Sequence, residues 1–124
     1  MFLNTLFVVI GGGIGSACRY LFSLLAVKWF GYNFPLGTLG VNLLGCFLIG
    51  LSFALADRNI ISPTIRLSLV TGFLGGLTTF SAYALESANF IGGAGISAAL
   101  ANIALNNLGG IALVFLGLWL GKAI

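Results

Sequence analysis

Residues 36–56 read LGTLGVNLLGCFLIGLSFALA, and the fold follows from that stretch. It carries no charge over its whole length and ends at Asp57-Arg58-Asn59. A run of ~20 apolar residues, coiled as a helix, crosses the ~30 Å hydrocarbon core of a bilayer. In lipid every backbone amide must be satisfied internally, so a spanning segment is either a helix or a barrel strand. The alternation that a barrel strand needs is absent here. Residues 36–56 are therefore expected to be a transmembrane helix.

Three more stretches of the same kind flank it. Before it, about Leu3 to Val27 is interrupted only by Arg19, and Lys28-Trp29-Phe30-Gly31-Tyr32-Asn33-Phe34-Pro35 connects the two with rings suited to the headgroup level. After it, Ser62-Pro63 reads as an N-cap with a first-turn proline, opening a third span that runs to about Asn89. The turn Gly92-Gly93-Ala94-Gly95 leads to a fourth, Ile96 to Leu120, closed by Lys122. No basic stretch precedes Phe2, so the first segment reads as a span and not as a cleaved signal peptide. The expected architecture is all-α, a single four-helix transmembrane domain over residues 1–124 in a cell membrane.

Composition agrees. Of 124 residues 60% are apolar and 6% charged, with a mean hydropathy of +1.17. Soluble domains carry roughly a quarter charged residues, so cytosolic enzymes, secreted modules and disordered chains are excluded together. The net charge of +3 is no nucleic-acid signal, because Arg19, Lys28, Arg58, Arg66 and Lys122 are scattered. There is no histidine, and Cys18 and Cys46 lie in apolar stretches without metal-ligand spacing. Gly11-Gly12-Gly13-Ile14-Gly15-Ser16 lacks the final glycine, strand and acidic partner of a dinucleotide site. Its small-xxx-small spacing points instead to close helix packing, and four short helices enclose little, so a homo-oligomer is expected. Hairpin-linked spans put both termini on one side. The bases then divide three (Arg58, Arg66, Lys122) against two (Arg19, Lys28), a bias weak enough for insertion in both orientations.

The chemistry concentrates in Thr71-Gly72-Phe73-Leu74-Gly75-Gly76-Leu77-Thr78-Thr79-Phe80-Ser81-Ala82-Tyr83. Paired glycines followed by paired threonines make a poor continuous helix. One reading is a break between Gly75 and Thr79, freeing carbonyls for a cation and amides for an anion. The other is an intact helix with its hydroxyls bonded back to i−4 carbonyls. Asn42 in the second span and Asn102, Asn106 and Asn107 in the fourth need partners at bilayer depth, either each other or a solute. Phe80 and Tyr83, at i and i+3 with Glu86 a step further, are either packing or ring edges facing a solute. Ring edges are electropositive, so edges with amide and hydroxyl donors suit a weakly held anion, which Glu86 disfavours at its own level.

Gly11-Gly12-Gly13-Ile14-Gly15 with Arg19-Tyr20, Gly37-Thr38-Leu39 with Asn42 and Gly45, and Gly72-Phe73-Leu74-Gly75-Gly76-Leu77-Thr78-Thr79-Phe80-Ser81 with Glu86 together resemble the Fluc-type fluoride channels, small dual-topology fluoride exporters of microbes. The resemblance covers essentially the whole chain. It implies an antiparallel homodimer with two fluoride pores, and a buried structural Na+ bound by backbone carbonyls where the third helices break, at Gly75 and Thr78. It further implies a fluoride pathway along Asn42, Phe80, Ser81 and Tyr83, with Arg19 near the aqueous entrance.

Two features depart from the family pattern. Ala82-Tyr83 stands where Thr-Phe is common, so a phenolic hydroxyl either donates to the ion or obstructs its path. The fourth span, reading Gly109-Gly110-Ile111-Ala112-Leu113-Val114, lacks the usual hydroxyls and leaves Asn106 to compensate. Two other classes remain to be weighed. A small dual-topology multidrug antiporter requires a carboxylate in the first span, where none is found. A non-transporting membrane subunit would tolerate substitution at Gly75, Thr78 and Phe80 as long as assembly survives.

Overall fold

The computed structural model describes residues 1–124 and is entirely helical between short connections. Helix α1 covers Phe2–Phe30 and α2 covers Leu36–Asp57. The third span, Pro63–Gly92, is divided into α3 (63–77) and α4 (Phe80–Gly92). The fourth, α5, is Ile96–Ala123. All four spans are long and apolar enough to cross a membrane. Only 20 of the 124 residues are buried, and large apolar side chains from Phe2 to Trp119 lie on the surface. An exterior of that kind is at home in lipid.

Helix ends follow local chemistry. The Ser62 hydroxyl accepts from the Ile65 amide at 3.3 Å, and Pro63 takes the first turn, as its missing amide allows. Helix α1 runs through Lys28-Trp29-Phe30, three residues past the expected end, because nothing breaks it before Gly31, which adopts φ 78°. Two stretches depart from α geometry: α3 widens to a π-helix over Leu67–Leu74, and α5 does so over Leu105–Gly109. Neither is visible as a composition signal.

Side-chain contacts fix the hairpin order. The Ser68 hydroxyl donates to the Phe7 carbonyl at 3.4 Å, and Arg58 donates to the Gly121 carbonyl at 3.0 Å. Both termini and the α2–α3 connection therefore share one end of the bundle. Arg58 there also complements the negative end of α5, while Arg66 stacks over the Phe53 ring at 4.6 Å. At the opposite end, Phe34 in the α1–α2 connection and Phe90 in the last turn of α4 stack at 5.7 Å.

The glycines join helices in pairs. A Cβ at Gly11 would meet the Ser68 carbonyl, one at Gly15 the Phe73 carbonyl, and one at Gly76 the Gly12 carbonyl, so α1 and α3 touch backbone to backbone. Gly50 and Gly117 do the same between α2 and α5, against the Val114 and Phe47 carbonyls. Small-residue packing is thus present as expected. Gly11 and Gly15 face α3 within the chain, so they are not free as a surface for a second copy.

Candidate functional site

Helix α3 stops at Leu77, and Thr78 (φ −83°, ψ 154°) and Thr79 (φ −148°, ψ 115°) are extended before α4 begins at Phe80. The break expected from the paired glycines and threonines is therefore present, two residues long. Thr79 caps the new helix, its hydroxyl accepting from the Ala82 amide at 3.3 Å. Thr78 closes the old one, its amide and hydroxyl both donating to the Leu74 carbonyl at 3.0 and 2.9 Å.

Asn42 splints the gap from α2. Its Oδ1 accepts from the Thr79 amide at 2.8 Å, and its Nδ2 donates to the Thr79 carbonyl at 3.1 Å. In an unbroken helix the Thr79 amide would bond to the Gly75 carbonyl, so the side chain substitutes for the lost rung. The second hydrogen of Asn42 Nδ2 goes to Asn106 Oδ1 at 2.9 Å. Asn106 in turn donates to the carbonyl and Oδ1 of Asn102, and the fully buried Asn102 donates to Ser87 at 3.0 Å. Three spans are joined by one amide chain, whose members would be costly to bury unpaired.

A cavity of about 320 Å³ lies beside the break. Of the residues singled out from sequence, Asn42, Gly75, Thr78, Phe80 and Tyr83 line it together. The π-helical turn in α5 advances each residue by a smaller angle than an α-turn, so the neighbours Asn106 and Asn107 both reach it. Phe80 and Tyr83 meet edge to face, with centroids 5.3 Å apart and planes at 65°. Ser81 lies just outside, its hydroxyl 3.4 Å from that of Thr79. Arg19 is on α1, half-buried, and lines neither this cavity nor the next.

Glu86 belongs elsewhere. It lines a separate cavity of about 250 Å³ with Ser23, Tyr32 and Thr38. The Thr38 hydroxyl donates to its Oε1 at 2.6 Å, and Oε2 is buried without a partner. The carboxylate therefore does not face the cavity beside the break, and the sequence-level objection to an anion there falls away. Two features were missed from sequence: the Thr38–Glu86 pair, and the hold of Asn42 on the Thr79 backbone. The threonine pair was legible as a helix breaker; that Asn42 would grip both polar atoms of Thr79's backbone was not, because the contact joins residues 37 apart in the chain.

These features define a small multi-pass membrane protein whose third span is interrupted beside a cavity that carries asparagine and threonine side chains, an arrangement of channels and transporters. Residues 6–118 match the family described as CrcB-like protein, Camphor Resistance (CrcB). The chain is 46% identical over 118 residues to the fluoride-specific ion channel FluC of Aquifex aeolicus, covering 94% of this chain and 95% of the relative. It is 45% identical to the FluC of Shewanella halifaxensis, with 92% of each chain covered, and 39% identical to that of Mesorhizobium japonicum, with 98% of each covered. The chain belongs to the CrcB-like family, a family of membrane transport and not of enzymes.

Proposed function

We propose that this chain is a fluoride-selective channel that lets fluoride leave the cell passively, built as an antiparallel homodimer with a structural, non-transported sodium ion at its centre. The observation that carries the reading is the cavity beside the break: the side chains of Phe80, Tyr83, Asn42, Thr79 and Asn106 line it, with no fixed charge among them. Hydroxyl donors and ring edges replace part of the ion's hydration shell, and Ser81 extends that path. Many weak contacts hold an ion loosely enough for it to leave. At acid pH neutral hydrofluoric acid crosses lipid and dissociates inside. The inside-negative potential, worth ~2.3 kcal/mol per charge per 100 mV, then drives the anion out. Arg19 acts at a distance, through its field at the entrance.

An antiparallel second copy would cover Phe80, which lines the cavity and is 77% exposed in one chain. The backbone at the break fits a hard cation. The Thr78 carbonyl accepts no hydrogen bond, and the Thr79 amide is turned away from Gly75 toward Asn42. Carbonyl oxygens of Gly75 and Thr78 are ligands of the kind that Na+ takes in unwound helices. Bound there, the ion would neutralise facing carbonyls and lock the two breaks together.

The test is fluoride efflux from liposomes prepared with sodium and with N-methylglucamine in its place. Rapid efflux in sodium that fails without it is expected. Equal efflux in both would remove the sodium ion from the proposal, and no efflux in either would remove the channel.

A further inference from the structure

The asparagines around the cavity beside the break have no polar hydrogen to spare. Both Nδ2 hydrogens of Asn42 are taken, by the Thr79 carbonyl and Asn106 Oδ1. Both of Asn106 go to Asn102, and the Thr78 hydroxyl donates to the Leu74 carbonyl. An anion in this cavity therefore meets amides that are already committed. The Thr79 and Ser81 hydroxyls bond to each other at 3.4 Å, which leaves one hydrogen between them, and that contact is long.

Tyr83 is different, and the reason is Asn107. The Asn107 Nδ2 group donates to the Ile103 carbonyl at 2.8 Å. A carbonyl only accepts, so this contact fixes which end of the amide is nitrogen. The same Nδ2 stands 2.9 Å from the Tyr83 hydroxyl oxygen. An amide nitrogen accepts no hydrogen bond, so the tyrosine oxygen is the acceptor and its own hydrogen is left over. No other group of the chain takes that hydrogen. The edge contact with Phe80 and the bond from Asn107 hold the ring and the oxygen in place, and both residues line the cavity.

Resting on the fluoride-channel reading above, we propose that the Tyr83 hydroxyl is the principal hydrogen-bond donor to the permeating anion, and that Asn107 is the positioning residue that keeps its proton free. The phenol does not obstruct the path; it supplies the donor that the committed asparagines cannot. A fixed acceptor bond on one side of the oxygen also restricts where the O–H can point, which lowers the cost of ordering it when an ion arrives.

The test measures initial fluoride efflux against internal fluoride concentration, in liposomes, for dimers checked by size-exclusion chromatography. Tyr83→Phe keeps the ring and its volume and removes only the hydroxyl. It should raise the half-saturating fluoride concentration about fivefold, a modest share of what a hydrogen bond to a charged group can contribute. Asn107→Leu should raise it about twofold, through the unanchored hydroxyl. Added to Tyr83→Phe, it should raise it no further. An Asn107 that serves packing alone would lower dimer yield in both backgrounds and leave half-saturation where it was. A conducting wild type whose half-saturation is unmoved by Tyr83→Phe overturns this inference and leaves the channel standing. A wild type that carries no fluoride overturns both.

Discussion

Asn42 is the side chain on which the break depends. Its side chain holds both polar atoms of Thr79's backbone and reaches Asn106. Asn42→Ala leaves those groups short of partners in a site that lipid and protein keep from bulk water, a loss of ~1–3 kcal/mol for each orphaned group. The thermal midpoint in detergent should fall clearly and fluoride flux should vanish. Asn42→Asp keeps an acceptor for the Thr79 amide but loses both donors and puts a negative charge on the cavity wall, so flux should suffer more than the midpoint. Phe80 offers the complementary case. It is largely exposed in one chain and meets Tyr83 edge to face rather than filling the core. Phe80→Ile should slow fluoride efflux about tenfold, equivalent to ~1.4 kcal/mol in the barrier, with little change in yield. Equal loss of flux and yield would reassign Phe80 to packing.

At the scale of elements, glycine position decides which helices touch. A Cβ at Gly15 meets the Phe73 carbonyl and stands 2.9 Å from the Leu77 amide, whereas one at Gly13 meets nothing within 4 Å. Gly15→Ala must push α1 away from α3, an overpacking cost of ~1–3 kcal/mol. Gly13→Ala should leave the yield of monodisperse protein near wild type while Gly15→Ala lowers it severalfold, and similar yields for the two would undo the assigned α1–α3 contact. Both glycines sit in one Gly-rich run, and spacing alone could not tell that one faces α3 and the other does not. The same limit explains what was and was not legible. Span number, the Ser62-Pro63 start and the break at Thr78-Thr79 are local, written in charge, capping residues and helix propensity. The π-helical turns, the Thr38–Glu86 bond and the chain from Asn42 to Ser87 are products of packing between distant segments, so no local signal announces them. Asn107 shows the point most clearly. Its type marked it as needing a partner, but only the bundle reveals that the partner is Tyr83.

For the whole molecule, orientation and assembly set the terms. Two of the three bases at the end that carries the termini are engaged, Arg58 by the Gly121 carbonyl and Arg66 by the Phe53 ring, and the opposing charges are nearly balanced. C-terminal reporter fusions should therefore report from both sides of the membrane, as an antiparallel pair of identical chains requires; activity confined to one side would rule that arrangement out. Selectivity is decided by reconstituting the purified protein in potassium-loaded liposomes with sodium present, adding valinomycin, and following efflux with fluoride and chloride electrodes. Rapid fluoride loss with negligible chloride loss is expected of a fluoride-selective channel. Comparable loss of both ions, or no fluoride loss from well-assembled protein, would contradict it.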